Sequence, residues 1–166
     1  MRANAISTEA AFGKFRETME HDGLRPALAY LLGLTDFRYI AIFRRHGDKA
    51  TAAVFYDREH PEVLGVDEVP ETATYCHLAT EARDVFATAN SLEDSRLVSH
   101  AARQSVQAYW GLPVMTPEGE ILGTLCHYDV VPRDPGQVDL ELMVTVASAL
   151  EQAGLVPPYP GQTPTR

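Results

Sequence analysis

The chain has 166 residues and a mass of 18.3 kDa, with 45% hydrophobic and 22% charged residues, a composition that suits one globular domain and opposes disorder. A net charge of −9 and scattered basic residues oppose nucleic acid as a partner, because phosphate binding draws on clustered Lys and Arg. No apolar run approaches the roughly 20 residues a bilayer needs, and residues 1–9 lack a signal-peptide core, so a cytoplasmic chain with no membrane partner is expected.

Ser7, Thr8 and Glu9 offer capping chemistry ahead of Ala11, Phe12, Phe15 and Met19 at helical spacing, and Gly23 is the expected stop. A second helix is expected through Pro26, Leu28 and Leu32, with Pro26 in its first turn and Gly33 at its end. The aromatic and β-branched run 37–43 reads as a strand, His46-Gly47-Asp48 as a turn, and 50–56 as the returning strand. Residues 57–70 are polar and proline-punctuated, which predicts a loop. Residues 73–79 and 85–87 read as two short strands, and 97–105 as a short helix after a loop.

Two further strands are expected on either side of Pro117-Glu118-Gly119, where proline presets φ and glycine permits a positive one. Asp129 to Gly136 breaks regular structure. Residues 139–152 give the clearest helix, with Leu140, Val144, Ala147 and Leu150 on one stripe and Met143 and Val146 beside it. Prolines at 157, 158, 160 and 164 predict a disordered or loosely packed tail over 154–166, leaving 1–153 as the domain. Hairpin-joined strands with flanking helices imply an α+β fold: a central antiparallel sheet of five or six strands, terminal helices packed on one face, and pocket loops on the other.

The segment Tyr109–Asp129 runs Tyr-x-Gly-x-Pro, then Gly119, Gly123 and Leu-Cys-x-x-Asp. With Tyr75-Cys76, the acidic stretch ending in Asp94-x-Arg96, and Pro132-Arg133 before the last helix, it resembles the GAF domain family over residues 24–153. The resemblance implies a non-catalytic sensory domain in signal transduction that binds a small molecule or a partner protein, with no cofactor identified. It also implies a pocket between the sheet and the loops, with Phe43, Tyr75, Cys76, Arg96, Tyr109 and His127 as candidate lining residues. Relatives with known ligands differ here. The segment Arg133-Asp-Pro-Gly-Gln-Val departs from the cyclic-nucleotide signature, and His100 lacks the neighbouring Cys of bilin attachment. Gln104-Ser105-Val106-Gln107 replaces the strand of free methionine sulfoxide reductases.

Two Cys-His dipeptides, Cys76-His77 and Cys126-His127, carry the remaining chemistry. Read as strand residues, neighbours point to opposite faces, so a Cys pair or a His pair could meet but one dipeptide could not chelate. A thiol redox enzyme or sensor through Cys76 and Cys126 is one alternative. Haem or metal binding through His77, His100 or His127 is another. Set against both is the reading of buried cysteines that act as small apolar side chains. A homodimer through the helices at 7–20 and 139–152, or a separate signalling partner, would carry the output.

Overall fold

The computed structural model describes residues 6–161. Helix α1 spans Thr8–Asp22, where Ser7 accepts a hydrogen bond from Ala10 N–H and Gly23, at φ 100°, ends it in a conformation that glycine tolerates. Helix α2 follows at Leu24–Leu32. Strands β1 (Tyr39–His46) and β2 (Lys49–Asp57) pair across a two-residue turn containing Gly47 at φ 62°. The short β3 (Val69–Pro70) closes the loop 58–68 against β2.

A first correction falls on 73–79. Cys76–Ala82 is not a strand but a seven-residue helix, α3. Its buried residues, Cys76 and Ala79, are three apart, a helical spacing that the β-branched Thr74 and aromatic Tyr75 obscure in sequence. Strand β4 covers Phe86–Thr88. A second correction concerns 97–105, where the end of a 3-10 turn (Ser95–Leu97) and further turns replace the expected helix. The side chains of Asn90, Asp94 and His100 accept from the amides of Leu92, Arg96 and Ala102, each two residues on. Such local bonds compete with the helical ladder.

Strands β5 (Ala108–Met115) and β6 (Ile121–Asp129) form the hairpin predicted from the motif, with Gly119 at φ 90° in its turn. Pro113 lies past the end of β4, where the outer edge of β5 is unpaired and a missing N–H costs no ladder bond. The complete sheet is antiparallel throughout, in the order β3-β2-β1-β6-β5-β4. Asp129 caps the chain leaving β6: its carboxylate accepts from Val130 N–H, Arg38 N–H and Arg133 Nε.

Helix α4 spans Leu140–Gln152 and packs with α1 and α2 on one face of the sheet. Its buried stripe is Leu142, Met143, Val146, Ala147 and Leu150, whereas Leu140 and Val144 are exposed, which turns the helix away from the predicted stripe. The 3.6-residue period fits Met143, Val146, Ala147 and Leu150 with either Leu140 or Leu142, and contact with β5 selects Leu142. The core on this face gathers Phe15, Leu28, Leu31, Ile40, Trp110 and Leu125, each worth about 2 kcal/mol of apolar burial. A smaller cluster around Phe55, Tyr75, Tyr109 and Cys126 fills the other face. Residues 154–161 also differ from the expected loose tail. Arg44 Nη1 donates to Pro157 O at 2.7 Å, and Tyr159 is buried with its hydroxyl on Glu68. Residues 162–166 lie outside the described residues.

Candidate functional site

Alternation along β5 and β6 sorts the motif residues between two faces. Tyr109 is paired with Tyr128 and Gly111 with Cys126, while Trp110 is paired with His127. Directly opposed residues share a face. Tyr109, Gly111, Cys126 and Tyr128 therefore look toward α3, and Trp110 and His127 look toward the terminal helices.

Helix α3 sets Cys76 over the sheet, so the two cysteines and Tyr109 form one buried cluster. Tyr109 Oη donates to Cys76 Sγ at 3.2 Å, with Cys126 beside them in the same buried cluster. The neighbouring Cys126 pulls the Cys76 thiol down, while burial pushes the Cys126 thiol and the Tyr109 phenol up. Cys76 is thus the more acidic thiol of the two. Both sulfurs are reduced and free.

Gly111 makes this geometry possible. The Tyr109 ring crosses the strand above it, and a Cβ at 111 would fall 2.5 Å from Tyr109 Cζ and 2.6 Å from Cε1. Gly123 serves the sheet itself, since a Cβ there would meet Phe43 O at 2.7 Å. The glycines of the motif thus admit a side chain at one position and a neighbouring strand at the other.

A cavity of about 250 Å³ opens beside the cluster, walled by Phe43, Tyr75, Cys76, Tyr109, Cys126 and Tyr128, with Val66, Val69 and Val106 on its loop side. Four predicted pocket residues, Phe43, Tyr75, Cys76 and Tyr109, meet here. Arg96 does not. Its guanidinium grips Asp94 at 2.6 and 2.9 Å, donates to Ala87 O at 2.7 Å and stacks 4.6 Å from the Phe86 ring centre, bracing the loop. This contact holds the Asp94 carboxyl well below the usual carboxylate range. His127 is on the other face, a correction that follows from strand alternation. Cys126 and Tyr128 take its place in the cavity wall, and the same alternation would have identified them once Tyr109 was assigned to that wall.

Next to the thiols, His77 and His100 form a bonded pair. Ala102 N–H donates to His100 Nδ1 at 3.0 Å, which leaves the neutral ring its proton on Nε2. That proton faces His77 Nε2 at 3.1 Å, and His77 Nδ1 in turn faces Glu81 Oε2 at 3.3 Å. Burial, then the neighbouring His77, hold His100 below the ordinary histidine range. Among the described residues no group of three His, Cys, Asp or Glu side chains is arranged to hold a metal.

An antiparallel sheet with paired terminal helices on one face and a loop-covered cavity on the other defines a class of small ligand-binding domains. The sequence profile of the GAF domain matches residues 20–153, and the chain belongs to that family, whose members are ligand-binding sensory domains. Solved structures share the fold. The GAF domain of an Acinetobacter phosphoenolpyruvate-protein phosphotransferase superposes at TM-score 0.64 and 13% identity, covering 91% of this chain and 100% of that one. Free methionine-R-sulfoxide reductase from Neisseria meningitidis, solved with its substrate, gives 0.68 and 13%, covering 92% and 93%. The phycoerythrobilin-bound GAF domain of a cyanobacterial phytochrome gives 0.66 and 15%, covering 92% and 96%. No curated protein matches the chain in sequence. Among the described residues no helix is long and apolar enough to cross a membrane.

Proposed function

We propose that the chain is a cytoplasmic, non-catalytic sensory domain that binds a small, mainly apolar molecule between α3 and the sheet. The observation that carries this reading is the aromatic- and thiol-walled cavity of about 250 Å³, lined by Tyr75, Tyr109 and Tyr128. That volume is below the roughly 300–1,000 Å³ of pockets for drug-sized ligands, so the occupant is compact, on the scale of a bicyclic aromatic. Occupancy favours one packing of α3 and the loop 58–68. The output reaches a second copy or a signalling partner through the terminal helices, where Leu140 and Val144 stand exposed one turn apart.

Indole is a suitable probe. It is expected to shift the amide resonances of Tyr75, Cys76 and Tyr109 and to raise the melting temperature. Ala102→Phe, which fills the cavity from its wall, removes both responses while the fold persists. Indole binding that survives this substitution counts against the site. Light scattering of the same samples tests the output, since a monomer unchanged by indole at micromolar concentrations rules out ligand-driven dimerisation.

The buried neighbours Cys76 and Cys126, with Tyr109 on the Cys76 sulfur, favour a second reading, a thiol sensor. One equivalent of peroxide would accept two electrons and two protons from the thiols, forming one disulfide and two waters. Intact mass spectrometry is expected to record the loss of two hydrogens in the native chain and none in Cys126→Ser. Persistence of two free thiols in the native chain under peroxide eliminates this reading.

A further inference from the structure

On the helix face, away from the thiol cavity, lies a second hollow with a buried histidine in its wall. His127 sits near the C-terminal end of β6 with no exposed surface, and neither ring nitrogen has a hydrogen-bond partner among the described residues. Phe37 and Trp110 flank it edge-on, at ring-centre distances of 5.8 and 6.1 Å. A buried imidazole with both nitrogens unsatisfied is costly, and such groups in native proteins mark a water, an ion or a ligand.

His127 belongs to the wall of a cavity of about 540 Å³ between α1, α2, the turn 33–36 and α4. The wall is largely hydrocarbon, from Leu31, Leu34, Val138, Leu142 and Met143. Its polar side chains, Thr35, Asp36, Gln137 and Asp139, include two exposed carboxylates, which place them at the mouth. No Lys or Arg lines it.

We propose that this cavity is a binding site for an uncharged molecule with a compact hydrocarbon body and a hydroxyl group, a phenol or small alcohol. An anion would meet two carboxylates at the mouth, that of Asp36 paired with Arg133, and no Lys or Arg in the wall. Behind the wall, a neutral imidazole holds one N–H donor and one bare nitrogen, and a hydroxyl that reaches it can satisfy either. Met143, long and unbranched, is the wall residue best able to move aside as the hydroxyl reaches the ring. The hydrocarbon part rests on the leucines. Occupancy at this site is felt directly by α1, α2 and α4, the helices that the sensory reading uses for output.

Phenol and toluene, which differ by a hydroxyl in place of a methyl group of similar size, are the probes. With the imidazoles ¹⁵N-labelled, phenol is expected to shift the His127 ring nitrogens and to raise the melting temperature more than toluene does. His127→Leu is expected to bind phenol about tenfold more weakly and to lose the preference over toluene. Leu34→Trp, which fills the cavity and leaves His127 in place, is expected to abolish the shift and covers the case of an unstable His127 variant. Ring nitrogens unmoved by phenol mean that the cavity holds water only, and the proposal fails. It fails equally if phenol binds both variants as tightly as the native chain. Loss of the phenol response in Ala102→Phe alone would assign phenol to the thiol cavity instead and also overturns it.

Discussion

Lowering the pH from 7 to 4 is expected to destabilise the fold by about 3 kcal/mol through His127 alone. Complete burial drives its pKa from 6.5 down to about 3, and the positive charge of Arg58 adds to the effect. The native state therefore binds fewer protons than the unfolded chain. The neutral ring's contribution is complete above pH 6.5 and is lost as the pH falls toward 3. Across the roughly 2.5 units above pH 4, at about 1.4 kcal/mol per unit, this gives the stated loss. His100, also depressed, contributes with the same sign. Asp57 and Asp94, both held below 3.8, act in a more acidic window. Urea unfolding at a series of pH values measures the slope. His127→Leu should flatten it between pH 6.5 and 4 and raise stability at pH 7 by about 1 kcal/mol, because it replaces an unsatisfied buried group with an apolar one. An unchanged slope in the variant would exclude His127 as the source.

The same residue shows where sequence reading succeeded and where it stopped. The hairpins, α1, α2 and the motif strands were legible because their signals are local: Ser7 ahead of a helical stripe, and the turn glycines Gly47 and Gly119 between β-rich runs. The stretch 73–79 misled because Thr74, Tyr75 and Cys76 suit either state, and only the sheet beneath selects the helix. Membership of the pocket was half legible. The motif groups Tyr109 and Cys76, which share a cavity wall, with His127, which adjoins Cys126 on one strand and points the other way. The face of α4 was equally underdetermined, since Leu140 and Leu142 fit one period and tertiary contact alone decides. What escaped was the interplay of elements distant in sequence, such as His77 meeting His100 or Tyr159 docking on Glu68.

Gly111→Ala is expected to cost about 3 kcal/mol and to dismantle the thiol cluster, although a single methyl group is added. The backbone at 111 is not in the left-handed region, so the cost is steric. The Tyr109 ring lies across that position, 3% exposed, with Tyr75 and Phe86 at ring-centre distances of 5.5 and 6.2 Å, and must give up this packing to move aside. The added carbon forces the ring aside and breaks the bond from Tyr109 Oη to Cys76. Two measurements separate this from generic strain. Thiol titration should find Cys76 and Cys126 more reactive in the variant, because their packing partner has left. In a Tyr109→Leu background the same Gly111→Ala change should cost under about 1 kcal/mol, since the clashing atoms are gone, a coupling of about 2 kcal/mol in a double-mutant cycle. Equal costs in the two backgrounds would show that Gly111 serves the strand rather than the site. The predicted coupling gives the Tyr-x-Gly pair of the motif a physical meaning: the glycine is the seat of the tyrosine, and the tyrosine holds Cys76 against the sheet.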